Sequence, residues 1–200
     1  MRTEQIWEAG QQRLAKIETE AEGINTWKAY LTNYQPGANA DEPYVWLTCT
    51  LALEAVNAGN FGVGAILIDG VGHVVAQGHN EVFNPYFRSD RHAEMMVMDD
   101  FEDARPEHRK LDGYTLYTSL EPCPMCLVRL STCSVNRILF AAQDVTGGMV
   151  HKMGDLPSFW IELARGKVFC QAECSPDLAN AADQIFLLNL EELTAKIKAR

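Results

Sequence analysis

Residues 114–126 read YTLYTSLEPCPMC, and this stretch decides the fold. Its first five residues are aromatic, β-branched or leucine, which predicts a strand over 114–118. Pro124 then suits the first position of a helix, which we predict over about 124–134. A strand that passes directly into a helix is a unit from which α/β domains are built.

The sequence on both sides of this stretch repeats the alternation. Residues 63–68 and 73–76 are two β-rich runs separated by a glycine-containing turn, which predicts a hairpin. The other predicted elements, in chain order, are a core-facing helix around 46–56, a helix over about 91–104, a strand over 137–141, a short helix near 158–165, a weak strand at 167–169 and a long closing helix that contains 178–185. A hairpin followed by alternating helices and strands predicts an α/β fold, a three-layer α/β/α domain with a mixed five-stranded sheet.

The amino-terminal part differs from this pattern. Turn-forming residues are concentrated at 33–41, and the polar segment before them is predicted to be helical over roughly 4–22. Its apolar anchors are Ile6, Trp7, Leu14 and Ile17. We therefore divide the chain into an extension over 1–40 and a domain over 41–200. We expect the extension to dock on that domain or on a partner subunit.

The composition is that of a folded globular protein. Of 200 residues, 47% are hydrophobic and 22% are charged, which excludes a disordered chain. The formal charge of −10 weighs against a polyanionic partner, because nucleic-acid affinity comes largely from basic side chains. No apolar run approaches the roughly 18 residues of a membrane span, and no signal-peptide pattern opens the sequence. We expect a cytoplasmic protein in which the six cysteines are mostly reduced.

The residues that carry chemistry are His92, Cys123 and Cys126. Zinc prefers nitrogen and sulfur ligands, and a catalytic zinc has three protein ligands with a fourth position left for water. Two cysteines three residues apart at a helix start can reach one ion, and the helix dipole favours their thiolates. Glu94 lies near His92, so it can take the proton of a zinc-activated water and return it to a leaving group. We expect one zinc per chain, with Glu94 catalytic.

Simpler interpretations of the same residues stay open at this point. A Cys-x-x-Cys pair can be a redox pair or half of a structural zinc site, and a single histidine at a helix start can be a cap or a core residue. Cys133 is the nearest further thiol, and we interpret it as a core residue. The joint occurrence of His-x-Glu, a gap of 28 residues (95–122) that ends in proline, and Cys-x-x-Cys is much harder to obtain by chance.

With these motifs the chain resembles the zinc-dependent deaminases of nucleobases, nucleosides and nucleotides, the cytidine/deoxycytidylate deaminase-like family. The resemblance covers roughly residues 43–190 and is densest in 63–65, 78–80, 92–95, 116–126 and 137–140. It is closest to guanine deaminases and tRNA-adenosine deaminases. It implies that Asn80 and the backbone N–H of Ala93 hold the heterocycle, although Asn80 could instead be a turn residue. Val128 and Arg129 stand where that family has small residues.

The resemblance implies hydrolytic deamination of a small amino-substituted nucleobase or nucleoside, with a guanine-like purine favoured. The alternatives are a tRNA-adenosine deaminase, a cytosine- or cytidine-type deaminase and a non-catalytic zinc-binding subunit. Residues 90–112 hold eight acids against four bases, so we do not expect a nucleic-acid partner.

Two further expectations concern the surroundings of the site. Phe83, Tyr86 and Phe87 are candidates for stacking on a flat ring, or else for packing the extension or a neighbouring subunit. The resemblance also implies a homodimer, through the helix face that carries residues 127, 130 and 131 and through the loop 142–156.

Overall fold

The computed structural model describes residues 3–107 and 111–200. Residues 1, 2, 109 and 110, which entered the sequence analysis, lie outside these ranges. The helices are α1 (Thr3–Lys16), α2 (Glu22–Thr32), α3 (Glu42–Asn57), α4 (Ala93–Ala104), α5 (Pro124–Thr132), α6 (Ser158–Ala164), α7 (Pro176–Leu187) and α8 (Leu190–Lys198), with a 3-10 helix at Val150–Asp155. The strands are β1 (Gly64–Ile68), β2 (Val74–His79), β3 (Leu111–Leu120), β4 (Val135–Ala142) and β5 (Val168–Gln171).

The five strands form one mixed sheet in the order β2-β1-β3-β4-β5. Strand β1 pairs antiparallel with both β2 and β3, with Ala65 opposite Thr118. Strands β3, β4 and β5 are parallel, with Leu116 opposite Ile138. The predicted three-layer α/β/α fold with a mixed five-stranded sheet is confirmed.

Helices cover both faces of the sheet. Helices α3 and α7 pack against each other and on β1, β3 and β4, whereas α4 packs on β2 and β1 with α5 beside it. Gly64 lets α3 approach β1 closely, because a Cβ there would lie 2.3 Å from the carbonyl oxygen of Thr48. Since α4 and β3 run in opposite directions, the start of α4 lies at the edge of the sheet where β3 ends and α5 begins.

The amino-terminal residues form two helices rather than one. Helix α1 ends at Lys16, and a second helix, α2, follows from Glu22 to Thr32, mostly beyond the single helix predicted over roughly 4–22 in this helical extension. Ile6, Leu14 and Ile17 are buried in the same apolar core as α3. Arg13 forms an ion pair with Glu54 of α3 at 2.7 Å. The extension therefore shares its core with the sheet domain, and the boundary at residue 40 stays a prediction.

The carboxyl-terminal part also differs from the prediction of one long closing helix. Helix α7 ends at Leu187, and α8 begins at Leu190 after a break at Leu188 and Asn189. The side-chain amide of Asn189 donates to the backbone carbonyl of Asn60 at 2.5 Å, and this contact turns the chain into α8. In the described ranges, no helix is long and apolar enough to cross a membrane.

Candidate metal centre

The metal-ligand candidates lie at the starts of two neighbouring helices. His92 is the N-cap of α4, and Cys123 is the N-cap of α5 with Pro124 at the first helical position. Cys126 follows one turn later on α5 and is buried. In both helices the first backbone N–H groups have no partner within the helix, so this end of each helix favours negative charge.

Within the described ranges, His92, Cys123 and Cys126 are the group of side chains placed to hold a metal ion. His92 Nδ1 lies 3.5 Å from the Cys123 sulfur and 3.6 Å from the Cys126 sulfur. Nitrogen and sulfur ligands of a tetrahedral zinc lie about 3.6 Å apart, given zinc bonds of about 2.0–2.1 Å to nitrogen and about 2.3 Å to sulfur. The three residues therefore fit a zinc ion that leaves one coordination position open.

The electrostatics of the cluster favour a thiolate. A hydrogen bond from the Cys126 thiol, opposed by burial and aided by His92, lowers the pKa of Cys123 to about 4. Burial alone would lower the pKa of His92, but the hydrogen bond and charge of Cys123 outweigh it and raise that pKa. The cluster therefore carries negative charge on sulfur at neutral pH, as a cation site requires.

Glu94 is the buried carboxyl group beside this cluster. It is 4% exposed, and its Oε2 lies 3.4 Å from the Cys126 sulfur. Burial, reinforced by the charge of Cys123, raises the pKa of Glu94 to about 7. A carboxyl group with a pKa near neutrality can both accept and return a proton.

A pocket of 280 Å³ opens beside these residues. Its lining includes His92, Glu94 and Cys123, together with the neighbouring rings of Phe61 and Phe186. Residues Leu190, Thr194 and Ile197 add a wall from α8. The volume lies just below the usual range for small-molecule sites, about 300–1,000 Å³.

The charges around the pocket are acidic. Glu94, Glu121 and Asp144 border it, and the described residues contribute no lysine or arginine to its lining. An anionic ligand would therefore meet no cationic side chain from this part of the chain.

Of the two residues expected to hold the heterocycle, Asn80 lines the pocket, and Ala93 lies between His92 and Glu94 but is not among the lining residues. Asn80 is 2% exposed and borders the pocket, and its Oδ1 accepts the backbone N–H of Val82 at 3.1 Å. Only the oxygen of the amide can accept that bond, so the nitrogen is the group left to contact a ligand. The two interpretations of Asn80 are therefore compatible. The amide oxygen stabilises the turn, and the amide nitrogen stays available for a ligand. Ala93 is the first residue of α4 and is buried.

The prediction that Phe83, Tyr86 and Phe87 stack on the ring is wrong for this pocket. None of the three is among its lining residues. Phe83 packs between Phe61 and Phe87, and Tyr86 is 59% exposed. The loop that holds them is close to Asn80 in sequence, but its aromatic side chains pack behind the pocket wall.

The residues of α5 that were predicted to form a dimer contact are also wrong. Leu127, Leu130 and Ser131 are buried within the single chain. Arg129 lies outside the pocket lining and pairs with Asp99 and Glu102 of α4, at 2.8 Å each.

Glu121 is a residue that the sequence analysis quoted but did not assign. Its side chain is fully buried and accepts hydrogen bonds from both the backbone N–H and the Nδ1 of His151 at 2.8 Å. It also accepts the backbone N–H of Asp144 at 3.1 Å. Asp144 in turn accepts the backbone N–H groups of Thr146 and Gly147, which border the pocket. The carboxylate of Glu121 thus anchors this loop. The position of Glu121 directly before Pro122 and Cys123 was the sequence feature that could have identified it as a functional residue.

Comparison with known proteins identifies relatives of the chain. The chain is 38% identical over 108 residues to the tRNA-specific adenosine deaminase of Bacillus subtilis, a match that covers 54% of this chain and 65% of that protein. It is 34% identical over 103 residues to the guanine deaminase of the same organism, covering 51% of this chain and 64% of that protein. The chain thus spans slightly under two thirds of the length of these relatives.

Solved structures share the fold. A tRNA:A34 deaminase superposes with a TM-score of 0.59 at 24% identity, covering 71% of this chain and 97% of that one.

The family model of the cytidine and deoxycytidylate deaminase zinc-binding region matches residues 38–142, more than half of the 200 residues. That region contains His92, Glu94, Cys123 and Cys126, so the predicted family is confirmed. The chain belongs to the cytidine and deoxycytidylate deaminase family.

Proposed function

We propose that this protein is a zinc-dependent hydrolytic deaminase of a small, uncharged, amino-substituted nucleobase or nucleoside, with a guanine-like purine favoured. The observation that carries the proposal is the small pocket that opens on His92, Glu94 and Cys123 and has no lysine or arginine among its described lining residues. A phosphorylated substrate would enter this acidic surrounding without a cationic partner. An uncharged ring would meet the aromatic wall formed by Phe61 and Phe186.

The reaction replaces the amino group on a ring carbon by the oxygen of water, and ammonia leaves. Zinc held by His92, Cys123 and Cys126 would supply a water with a pKa lowered towards neutrality. Glu94 takes the proton of that water and returns it to the departing amine. Burial supports this role, because it raises the pKa of Glu94 to about 7 and so places the carboxyl between its two protonation states.

The ring would be oriented by two hydrogen-bond donors, from Asn80 and Ala93. The amide nitrogen of Asn80 is a donor, because the oxygen of that side chain already accepts the Val82 N–H. The backbone N–H of Ala93 lies in the first turn of α4, where it has no partner within the helix. These two donors suit ring nitrogen or carbonyl acceptors of a heterocycle.

A second candidate is a tRNA-adenosine deaminase. The relative with 38% identity carries that function in its name, so the sequence-based expectation of no nucleic-acid partner has no support from the comparisons. The closing wall from α8 and the absence of basic lining residues in the described ranges favour a free base or nucleoside.

We also propose that the protein forms a homodimer. Large apolar side chains are exposed on α5, on the loop that follows β4 and on α6, at Met125, Val145 and Phe159. Phe159 is 61% exposed. A self-complementary contact would cover this apolar area.

The test is ammonia release by the zinc-loaded protein from a panel of amino-purines, amino-pyrimidines, their nucleosides and their monophosphates, with a tRNA carrying adenosine in the anticodon as a further substrate. We expect turnover of an unphosphorylated ring compound, and the Glu94→Ala variant serves as the inactive control. Exclusive turnover of the tRNA would favour the second candidate. Turnover of the monophosphates alone would contradict the substrate class.

A further inference from the structure

Asn60 lies where three segments around the pocket meet. It is 1% exposed and follows the end of α3. Its side-chain oxygen accepts the backbone N–H of Phe83 at 2.7 Å and that of Asn84 at 2.9 Å. Its backbone carbonyl accepts the side-chain amide of Asn189 at 2.5 Å, immediately before α8. One buried residue thus connects α3, the loop between β2 and α4, and the start of α8.

The same loop also contacts the chain two residues beyond the end of α8. The guanidinium of Arg200 lies over the ring of Phe87 at 3.8 Å from the ring centroid. Between the two ends, Leu190, Thr194 and Ile197 face the pocket at helical spacing. The position of the loop and the position of α8 over the pocket are therefore coupled through Asn60 at one end and through Phe87 at the other.

The residue after Asn60 belongs to the pocket itself. Phe61 borders the pocket, its ring packing 5.8 Å from that of Phe83 and 6.4 Å from that of Phe186, measured between centroids. A shift of Asn60 would therefore move this aromatic wall together with α8. Asn60 is not among the lining residues of the pocket, so it acts on a ligand only through these neighbours.

We propose that Asn60 is a positioning residue, which holds α8 and the neighbouring loop across the pocket and so sets how tightly the substrate ring fits. This inference rests on the proposed function for the identity of the substrate. The contact requires an oxygen that accepts two N–H groups. Leucine has a similar shape but offers no acceptor, so Asn60→Leu leaves the backbone N–H groups of Phe83 and Asn84 without this partner, whereas Asn60→Asp keeps the oxygen.

The first measurement needs no substrate. Hydrogen–deuterium exchange of the zinc-loaded full chain is followed over residues 190–198 in the wild type, Asn60→Leu, Asn60→Asp and Asn189→Leu. We expect Asn189→Leu, which removes the hydrogen bond to α8, to exchange about fivefold faster in this segment. Asn60→Leu keeps its backbone carbonyl, and we expect faster exchange there because the loop no longer holds residue 60 in place. Asn60→Asp should stay close to wild type. Asn25→Leu is the matched control, because Asn25 is an exposed asparagine that donates to the carbonyl of Thr19 in the extension.

The second measurement uses the substrate that the panel identifies. Both leucine variants should raise KM by about tenfold, as expected for a loss of about 1.4 kcal/mol of binding, with kcat and zinc content nearly unchanged. Asn60→Asp should restore KM.

Several results would overturn the inference. Unchanged exchange over 190–198 in both leucine variants would do so, as would faster exchange with an unchanged KM. If Asn60→Leu does not fold, Asn189→Leu decides, because it removes only the side-chain link to α8. If the wild type turns over no compound of the panel, the proposed function fails, and the exchange result still decides whether Asn60 holds α8.

Discussion

Replacing Gly10 by alanine should destabilise this protein, although helix propensity alone predicts the opposite. Gly10 lies within α1, where alanine is favoured over glycine by about 1 kcal/mol. A Cβ at this position would lie 2.1 Å and 2.4 Å from Cζ3 and Cη2 of Trp46. Those atoms belong to the six-membered ring of a fully buried indole. The clash with Trp46 therefore determines the sign of the change in the free energy of unfolding.

Displacing the indole of Trp46 would reduce the stability of the folded protein. Its N–H donates to the carbonyl of Leu31 at 3.0 Å, and the ring of Trp7 packs on it with centroids 4.4 Å apart. Overpacking a core of this kind costs about 1–3 kcal/mol, and a weakened buried hydrogen bond costs about 1 kcal/mol more. After subtraction of the helix gain, we expect a net loss of about 1–3 kcal/mol in the free energy of unfolding.

Equilibrium urea unfolding followed by circular dichroism measures this change. Gln12→Ala, at an exposed position of α1, is the control and should stay within about 0.5 kcal/mol of wild type. In a Trp46→Phe background, which lacks the clashing ring, Gly10→Ala should no longer destabilise. An increase in the urea midpoint for Gly10→Ala in the wild-type background would refute the reasoning and would indicate that α1 does not pack on Trp46.

The other predictions concern the site and the assembly. The double variant Cys123→Ser, Cys126→Ser should lose its zinc in elemental analysis, and full zinc retention would remove both residues from the ligand set. Glu94→Ala should keep zinc and fold but lose more than ~10²-fold in turnover, and near wild-type turnover would exclude it as the proton carrier. Phe61→Leu should raise KM because it removes a ring from the pocket wall, whereas Tyr86→Leu, at an exposed position, should leave KM unchanged; equal effects would contradict the wall. Light scattering at micromolar concentration should give about twice 22.3 kDa, and an active, zinc-loaded monomer would contradict the dimer.

The metal centre was predictable from sequence because local rules fix most of it. A proline directly after Cys123 begins α5, and the three-residue spacing places Cys126 on the same side of the helix start. His92 is the cap of the preceding helix, and a single strand then returns the chain to the same edge of the sheet. Short-range patterns of this kind can be read from one sequence.

The pocket wall was not predictable in the same way. Phe61 and Phe186 are 125 positions apart, and neither belongs to a motif, so only the packing of α7 on the sheet brings them together. The loop aromatics were assigned to the pocket because they follow Asn80 in sequence, but their rings contact Phe61 and Arg200 instead. Proximity in sequence therefore failed to predict the pocket lining, because tertiary contacts determine where these rings pack.

The ion pairs of Arg129 bear on which metal ion the protein takes up. Arg129 joins α5 to Asp99 and Glu102 of α4. These contacts lie about one to two turns along α5 and about two to three turns along α4 from the residues that would hold the ion. A larger divalent cation such as cadmium would have to spread the two helices against this link. Partly exposed pairs of this kind contribute about 0.2–1 kcal/mol each, so the two pairs together limit discrimination by size to about 2 kcal/mol, or roughly thirtyfold. The preference for zinc over the lighter, harder cations must then come from the sulfur atoms of Cys123 and Cys126, because soft ligands select by chemical kind rather than by radius.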